Sequence, residues 1–164
     1  MAFRIISECH VDTTLAVFFV GNKQAVSHES GIGRVANAMK NAPKNADTIL
    51  IGWIDDDKRK PTYFSDFVEI EVENNVSLKQ KINTKEYLIV INPAAERMLL
   101  SAAESVKLDF EKYQLNPEFK AFCNQLKSPT IEQNADFQSF IKDLLENNAA
   151  VFLTLKSFFE RITA

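Results

Sequence analysis

The sequence predicts an α/β fold, with a mainly parallel central sheet that helices flank and a helical extension at the C-terminal end. Two short apolar runs, residues 48–54 and 86–91, are too short for good helices and are typical of strands buried on both faces. From Asn116 onward, one helical pattern follows another without a strand between them. We therefore expect an α/β domain at residues 1–110 and a helical extension packed on it at residues 111–164.

The first forty residues are expected to hold two helices. Residues 3–7 indicate a short strand, and Asp12 is expected to cap a segment over residues 13–20 that Gly21 closes. An Asp before the segment and a Gly after it favour a helix, but its β-branched and aromatic residues suit a strand equally well. Polar residues at 27–30 indicate a loop. A second helix is predicted over residues that end before Pro43 and share an apolar face: Ile32, Val35, Ala36 and Met39.

The remaining elements follow from changes in periodicity. Residues 67–72 alternate apolar and acidic side chains, as a half-exposed edge strand does. Asn92 and Pro93 end the strand at 86–91, and residues 94–108 are strongly helical. The C-terminal helices are predicted at residues 117–126, 131–146 and 149–162.

Composition narrows the class of protein. The chain has 164 residues, of which 46% are hydrophobic, and its net charge is −3. A chain of this length buries about 70% of its unfolded surface, which is enough for a sizeable core. The acidic balance excludes a uniformly basic nucleic-acid coat but leaves room for a local basic groove.

Cysteine usage and hydropathy point to a cytoplasmic protein. Cys9 and Cys123 are far apart and show no zinc-ligand spacing, which argues against a zinc site and a disulfide scaffold. The N-terminus has no apolar segment typical of a signal peptide. No apolar run approaches 18 residues, so we expect no membrane span.

Three acidic residues follow predicted strands and form the main candidate site. Glu8 comes after the first strand, and Asp55 and Asp57 come after the strand at 48–54. The carboxyl ends of parallel strands meet at one edge of a sheet, where ligands usually bind. Residues two apart in an extended chain point the same way. If the two strands are neighbours, we expect Glu8, Asp55 and Asp57 to converge.

Such a cluster favours a hard divalent cation. Three close carboxylates repel one another, and without a cation at least one tends to hold a proton. Oxygen ligands suit Mg²⁺ or Mn²⁺ better than zinc. Because Mg²⁺ usually engages one or two carboxylates plus substrate phosphates, the third carboxylate remains for proton transfer. The ion would stabilise an alkoxide leaving group or polarise a phosphate.

The order of these motifs resembles the TOPRIM domain, which topoisomerases, primases, OLD-family nucleases and small recombination or RNA-maturation proteins share. Residues 5–12 (IISECHVD) resemble the family's Glu-Gly-x-x-Asp opening, and residues 51–58 (IGWIDDDK) resemble its Asp-x-Asp strand. Small stand-alone members also carry a Gly-rich helix start, as at residues 31–34, and a Glu-containing helix after the next strand, as at residues 95–100. The resemblance covers about residues 3–108 and implies a TOPRIM- or Rossmann-like sheet.

The resemblance implies a role for each matching residue. Glu8 would be the general acid and base, Asp55 and Asp57 would hold the metal ion, and Asp12 would be a supporting carboxylate. In place of the family's Gly after the glutamate stands Cys9, which favours a degenerate or inactive member. Two further supporting residues are expected near the site: Glu96 and Lys58.

Several of these residues also have an ordinary structural interpretation. Asp12 suits a helix N-cap, and Glu96 suits a helix surface. Gly31, Gly33 and Arg34 would contact phosphate at a helix N-terminus, but a bare Gly-x-Gly is equally typical of a flexible loop entering a helix.

Three functions are compatible with these patterns. The first is a TOPRIM-like protein that cleaves or transfers nucleic-acid phosphodiesters with Mg²⁺ or Mn²⁺. Its net charge of −3 counts against strong nucleic-acid binding alone, so a protein partner or a second copy is expected to help. The second is a catalytically silent TOPRIM-fold module that binds or regulates through a protein partner, which Cys9 and the acidic surface favour. The third is a receiver-like signalling domain, which normally carries an acidic pair where this chain has Glu8 alone.

Overall fold

The computed structural model describes residues 2–164 and confirms the α/β class. Six strands form one mixed sheet, and six α-helices surround it. The strands are β1 (Ala2–Ser7), β2 (Val26–His28), β3 (Thr48–Asp55), β4 (Phe67–Glu73), β5 (Val76–Lys81) and β6 (Glu86–Ile91). The helices are α1 (His10–Val20), α2 (Ile32–Asn41), α3 (Ala95–Ser105), α4 (Phe119–Leu126), α5 (Ala135–Glu146) and α6 (Ala150–Thr163). No helix within this range has the length and apolar content that a membrane crossing needs.

The strand order gathers three parallel strand ends at one side of the molecule. The order is β2-β1-β3-β6-β5-β4, in which β2, β1, β3 and β6 are parallel and the hairpin β4–β5 is antiparallel. Ser7 lies opposite Trp53, and Asp55 lies opposite Ile91. The ends of β1, β3 and β6 therefore meet at one edge, which we call the carboxyl edge.

The structure confirms most of the predicted elements. It corrects the predictions for Asp12 and for residues 27–30, and it adds the strand β5. The ambiguous segment before Gly21 is helical, and Gly21 ends it in the left-handed conformation at φ 66°. Asp12 is not the N-cap, because α1 begins at His10 and Cys9 occupies the cap position. Residues 27–30, expected to form a loop, begin inside β2, which pairs with β1. The strand β5 is not predicted from the sequence.

Two apolar layers cover the sheet. The larger layer packs β1, β3 and β6 against α1, α3 and the C-terminal helices. The Trp53 ring stacks on Phe159 of α6 at 5.7 Å between centroids. Thus the helical extension packs on the α/β part. The smaller layer packs α2 on the other face of the sheet. Gly52 lies against this helix, and a Cβ atom added at Gly52 would lie only 2.5 Å from the Sδ atom of Met39.

The outer strand β4 is an edge strand, as the alternation predicts. One side of its backbone has no partner strand among residues 2–164. Its apolar side chains Val68, Ile70 and Val72 are each about half exposed.

Candidate metal centre

Three carboxylates converge at the carboxyl edge. Glu8 follows β1, Asp55 is the last residue of β3, and Asp12 projects from the first turn of α1. Each offers an oxygen, and these three oxygens lie within 4.8 Å of one another. The parallel pairing of β1 with β3 brings Glu8 to Asp55, and the short connection from β1 into α1 brings Asp12 over both. All three side chains are buried.

Asp12 is the least satisfied member of the group. Its residue is 0% exposed, and neither carboxylate oxygen has a hydrogen-bond partner among residues 2–164. Burial raises the pKa of Asp12 well above its ordinary value, and the charge of Asp55 raises it further; the nearby Cys9 thiol lowers it. A buried, ionised carboxylate without a partner is costly, so this side chain requires either a proton or a cation.

Asp55 is held by the start of α3. Its Oδ1 atom accepts a hydrogen bond from the backbone N–H of Ala95 at 3.1 Å. Burial raises the pKa of Asp55 to about 8, and the nearby charges of Glu96 and Glu8 contribute; the Ala95 hydrogen bond opposes the shift. The second oxygen of Asp55 makes no hydrogen bond within residues 2–164 and can serve a ligand.

Glu8 is oriented on both of its oxygens. Its Oε2 accepts the backbone N–H of Asp55 at 3.0 Å, and its Oε1 accepts a hydrogen bond from Lys58 Nζ at 2.6 Å. The hydrogen bond to Glu8 raises the pKa of Lys58. The Lys58 side chain is 54% exposed, so the ammonium group lies between the buried acids and solvent.

The other sequence-predicted residues surround this group at different distances. Asp57 is exposed and lies outside the three-carboxylate group. The strand ends at Asp55, so the extended alternation that would align Asp57 with it does not continue. Glu96 is half-buried at the start of α3, and its charge raises the pKa of Asp55.

The glycine-rich helix start lies beside Glu8. The N–H of Gly31 donates to the backbone carbonyl of Glu8 at 3.4 Å, and Gly31 adopts φ 98°, a conformation that favours glycine. Gly33 and Arg34 are exposed on the first turn of α2. The structure therefore brings this loop to the carboxyl edge but leaves its phosphate-binding role a prediction.

A histidine pair flanks the centre on the side of β2. The rings of His10 and His28 stack at 4.2 Å, and His10 Nδ1 lies 2.9 Å from Glu132 Oε2. Burial lowers the pKa of His28, and His10 lowers it further. Glu132 belongs to the C-terminal part of the chain, so sequence reasoning about the first 108 residues had no signal for it.

The donor set suits a hard divalent cation. All three donors are carboxylates, which favour Mg²⁺ and Mn²⁺ over softer metals. Burial and the charge of Asp12 raise the pKa of Cys9, which disfavours the thiolate form in the metal-free protein. The buried cluster of Glu8, Asp12 and Asp55 could hold a metal ion.

Comparison of the chain with protein families, with curated proteins and with solved structures finds no match.

Proposed function

We propose that the protein binds one Mg²⁺ or Mn²⁺ ion at Asp12 and Asp55, beside Glu8, and acts on nucleic-acid phosphodiesters, as a TOPRIM-like protein does. The observation that carries the metal site is Asp12, a fully buried carboxylate for whose two oxygens residues 2–164 provide no hydrogen-bond partner. A cation would satisfy it and relieve its repulsion from Asp55 and Glu8. The phosphodiester substrate rests on the TOPRIM resemblance of residues 3–108.

Each residue has a role in the proposed reaction. Asp12 and Asp55 would hold the ion, which would supply positive charge to stabilise the phosphate and the leaving oxygen. Glu8 accepts the proton of the attacking water or hydroxyl as the new P–O bond forms, and the ester P–O bond breaks. The leaving oxygen takes a proton from solvent, and Glu8 later releases its own proton to solvent. Glu8 suits this role because two hydrogen bonds already fix its orientation.

Lys58 is the residue best suited to contact the phosphate. Its Nζ atom bonds to Glu8 and is partly solvent-exposed, so it can exchange the carboxylate for a substrate oxygen. A lysine on a loop acts as a mobile point charge for phosphate. The acidic net charge of the chain makes weak binding of nucleic acid by this protein alone the expectation.

Metal titration tests the site directly. Isothermal titration calorimetry with Mn²⁺ and Mg²⁺ should show one ion per chain, and Asp12→Asn should lower the affinity at least about tenfold. Asp57→Asn is the matched control, because Asp57 is an exposed acid next to the centre. We expect a smaller loss for Asp57→Asn. A larger loss for Asp57→Asn than for Asp12→Asn would assign the ion to the Asp55–Asp57 pair, and an unchanged Asp12→Asn isotherm would refute the site proposed.

Incubation with supercoiled plasmid and Mn²⁺ tests the chemistry. Nicking that disappears in Glu8→Gln but survives in Asp57→Asn is the expected result. Retained metal binding in Glu8→Gln would separate the loss of proton transfer from the loss of the ion.

A catalytically silent binding module is the second candidate. The observation that favours it is the ion pair between Lys58 and Glu8. Through this pair the chain itself supplies the positive charge that a catalytic metal ion would otherwise provide. In that case Lys58→Met should destabilise the protein without changing its affinity for Mn²⁺. The enzyme proposal expects Lys58→Met to leave Glu8 free and to tighten Mn²⁺ binding while it reduces nicking.

A further inference from the structure

A second concave site lies on the carboxyl edge, beside the metal centre. It is a groove of about 220 Å³ between the β4–β5 turn, α3 and the start of α6. Its floor is apolar and consists of Met98, Ala102 and Val151, all of which are buried. Pockets that enclose a drug-sized ligand measure about 300–1,000 Å³, so this groove is sized for a single ring system.

Helix α3 separates the groove from the acids. Residues 97, 98, 101, 102 and 105 follow the spacing of one helical face, and all of them line the groove. Glu96, the residue before them, lies close enough to Asp55 to raise its pKa. One helix therefore presents an acid to the metal centre and Arg97 to the groove.

The rim of the groove carries hydrogen-bonding groups that are not engaged. Within residues 2–164, Arg97 forms no ion pair, and its guanidinium carbon lies 3.5 Å from the centroid of the Phe119 ring. Stacking fixes the guanidinium plane while its N–H groups stay available. Asn75, Asn92 and Ser101 also line the groove. The hydrogen bond between Asn92 and Asn75 is formed by their backbones, N–H to carbonyl at 2.9 Å.

The groove and the acids are close neighbours in the sheet. Asp55 pairs with Ile91, and Ile91 pairs with Val76. Asn92 and Asn75 adjoin these two partners, so they lie about one to two strand spacings of ~4.8 Å from the end of β3. Both sites lie on the same face of the sheet, because Trp53, Met98 and Val151 belong to one core.

We propose that this groove binds one nucleotide unit, with the base on the floor formed by Met98, Ala102 and Val151 and the phosphate at Arg97. Asparagine amides offer a donor and an acceptor together, which is the pattern that matches a base edge. Arginine is the side chain that suits phosphate. That this nucleotide belongs to the nucleic-acid strand cleaved beside Asp55 rests on the proposed function. That a nucleotide occupies the groove does not rest on it.

Binding is tested without metal, in EDTA, so that the result does not depend on the acidic centre. Each of the four 5′-mononucleotides is titrated into ¹⁵N-labelled protein, with ribose 5-phosphate as the probe without a base. We expect saturable shifts at the amides of Asn75, Asn92 and Arg97, and weaker binding of ribose 5-phosphate. Single-stranded tetranucleotides should bind more tightly than mononucleotides if the natural ligand is a strand, and no more tightly if it is a free nucleotide.

Two variants and one control test whether the mononucleotide binds in the groove. Arg97→Gln removes the charge, and Ser101→Leu fills the groove; each should weaken mononucleotide binding about tenfold or more. Asp55→Asn, which acts on the metal centre, should not weaken it. Absence of saturable binding, or equal binding by both groove variants and the wild type, would overturn the proposal. If Asp12→Asn loses Mn²⁺ binding but binds mononucleotides as the wild type does, the metal centre and the groove are separate sites.

Discussion

Gly52 shows how closely α2 packs on the sheet. A Cβ atom at this position would lie 2.5 Å from the sulfur of Met39 and 2.9 Å from a methyl carbon of Leu88. We expect Gly52→Ala to lower the free energy of unfolding by about 1–3 kcal/mol, because the neighbours must move.

Gly33→Ala is the control for this prediction. Gly33 lies in α2, and a Cβ there would meet no atom within 4 Å. Alanine at this position should stabilise the helix by about 0.5–1 kcal/mol. Urea denaturation of both variants measures the two effects, and destabilisation by Gly33→Ala would show that the loop needs its glycine for another reason.

Asp55 makes the stability of the metal-free protein depend on pH. Its pKa rises from 3.8 to about 8 on folding, so the folded chain keeps a proton that the unfolded chain releases between these values. The stability from this group is present below about pH 4 and is lost as the pH rises through about 8, at roughly 1.4 kcal/mol per pH unit within that window. Urea denaturation in EDTA at pH 5 to 8 measures the loss.

Asp55→Asn removes the titration of this residue, and it also removes the charge that helps to raise the pKa of Asp12. Asparagine keeps an oxygen that can accept the Ala95 N–H, but it does not titrate. The pKa of His28 is lowered in the folded protein, so its contribution to stability rises with pH. This contribution is common to the wild type and to Asp55→Asn. The wild type should therefore lose stability relative to Asp55→Asn as the pH rises, and Mn²⁺ should restore it. A difference that stays constant from pH 5 to 8 would contradict the prediction.

The sequence predicted part of the metal centre because the rule for parallel strands is simple. Glu8 and Asp55 each follow a strand, and neighbouring parallel strands bring such residues together. For Asp12 the local pattern favours a helix N-cap, because an Asp before an apolar run usually caps it, whereas the TOPRIM resemblance implies a supporting carboxylate. The true cap position is Cys9, whose side chain makes no capping hydrogen bond, so the local pattern gave no sign that the helix begins earlier.

At the scale of elements, α6 is held by aromatic contacts on one face of the sheet. Phe159 is buried and stacks on both Trp53 and Phe19. Phe159→Ala should cost about 3–5 kcal/mol, because it removes a large buried ring. For a chain of this size the melting temperature should fall by about 2–4 °C per kcal/mol.

Leu153→Ala in the same helix serves as the control. Its side chain is 44% exposed, so its loss should change the free energy of unfolding by no more than about 0.5 kcal/mol. Differential scanning calorimetry compares the two variants. Equal effects would mean that helix propensity, rather than core packing, governs α6.

The elements that the sequence predicted best are those with a continuous apolar signal. The buried strands β3 and β6 and the helices α2 and α6 match their predictions closely. The three-residue strand β2 is too short to show a period, and tertiary pairing with β1 creates it. In β5, Val76 and Leu78 alternate with polar residues, and two left-handed asparagines, Asn74 and Asn75, precede it. Asparagine at such turns is the signal that could have revealed the hairpin.

At the scale of the whole molecule, one apolar core joins the first 110 residues to the rest. It contains Trp53, the only tryptophan of the chain, together with Phe152 and Phe159 of α6. We therefore expect one cooperative unfolding transition, with Trp53 fluorescence and far-UV circular dichroism coincident in urea.

A comparison with residues 1–110 alone extends this test. Without α6, the apolar face that contains Trp53 would be exposed, and the shortened chain should aggregate or stay unfolded. Two separate transitions in the whole chain, or a stable fold of the shortened one, would establish residue 110 as a true domain boundary.

The outer strand β4 also has a consequence for the behaviour of the protein in solution. Glu69, Glu71 and Glu73 alternate with its half-exposed apolar side chains. Like charges along an open strand discourage intermolecular pairing. Because Glu71 is paired with Arg161 of α6, we expect the charges of Glu69 and Glu73 to oppose the joining of two sheets at this strand. Acidification that neutralises these glutamates would therefore turn the same strand into a nucleus for fibrillar assembly.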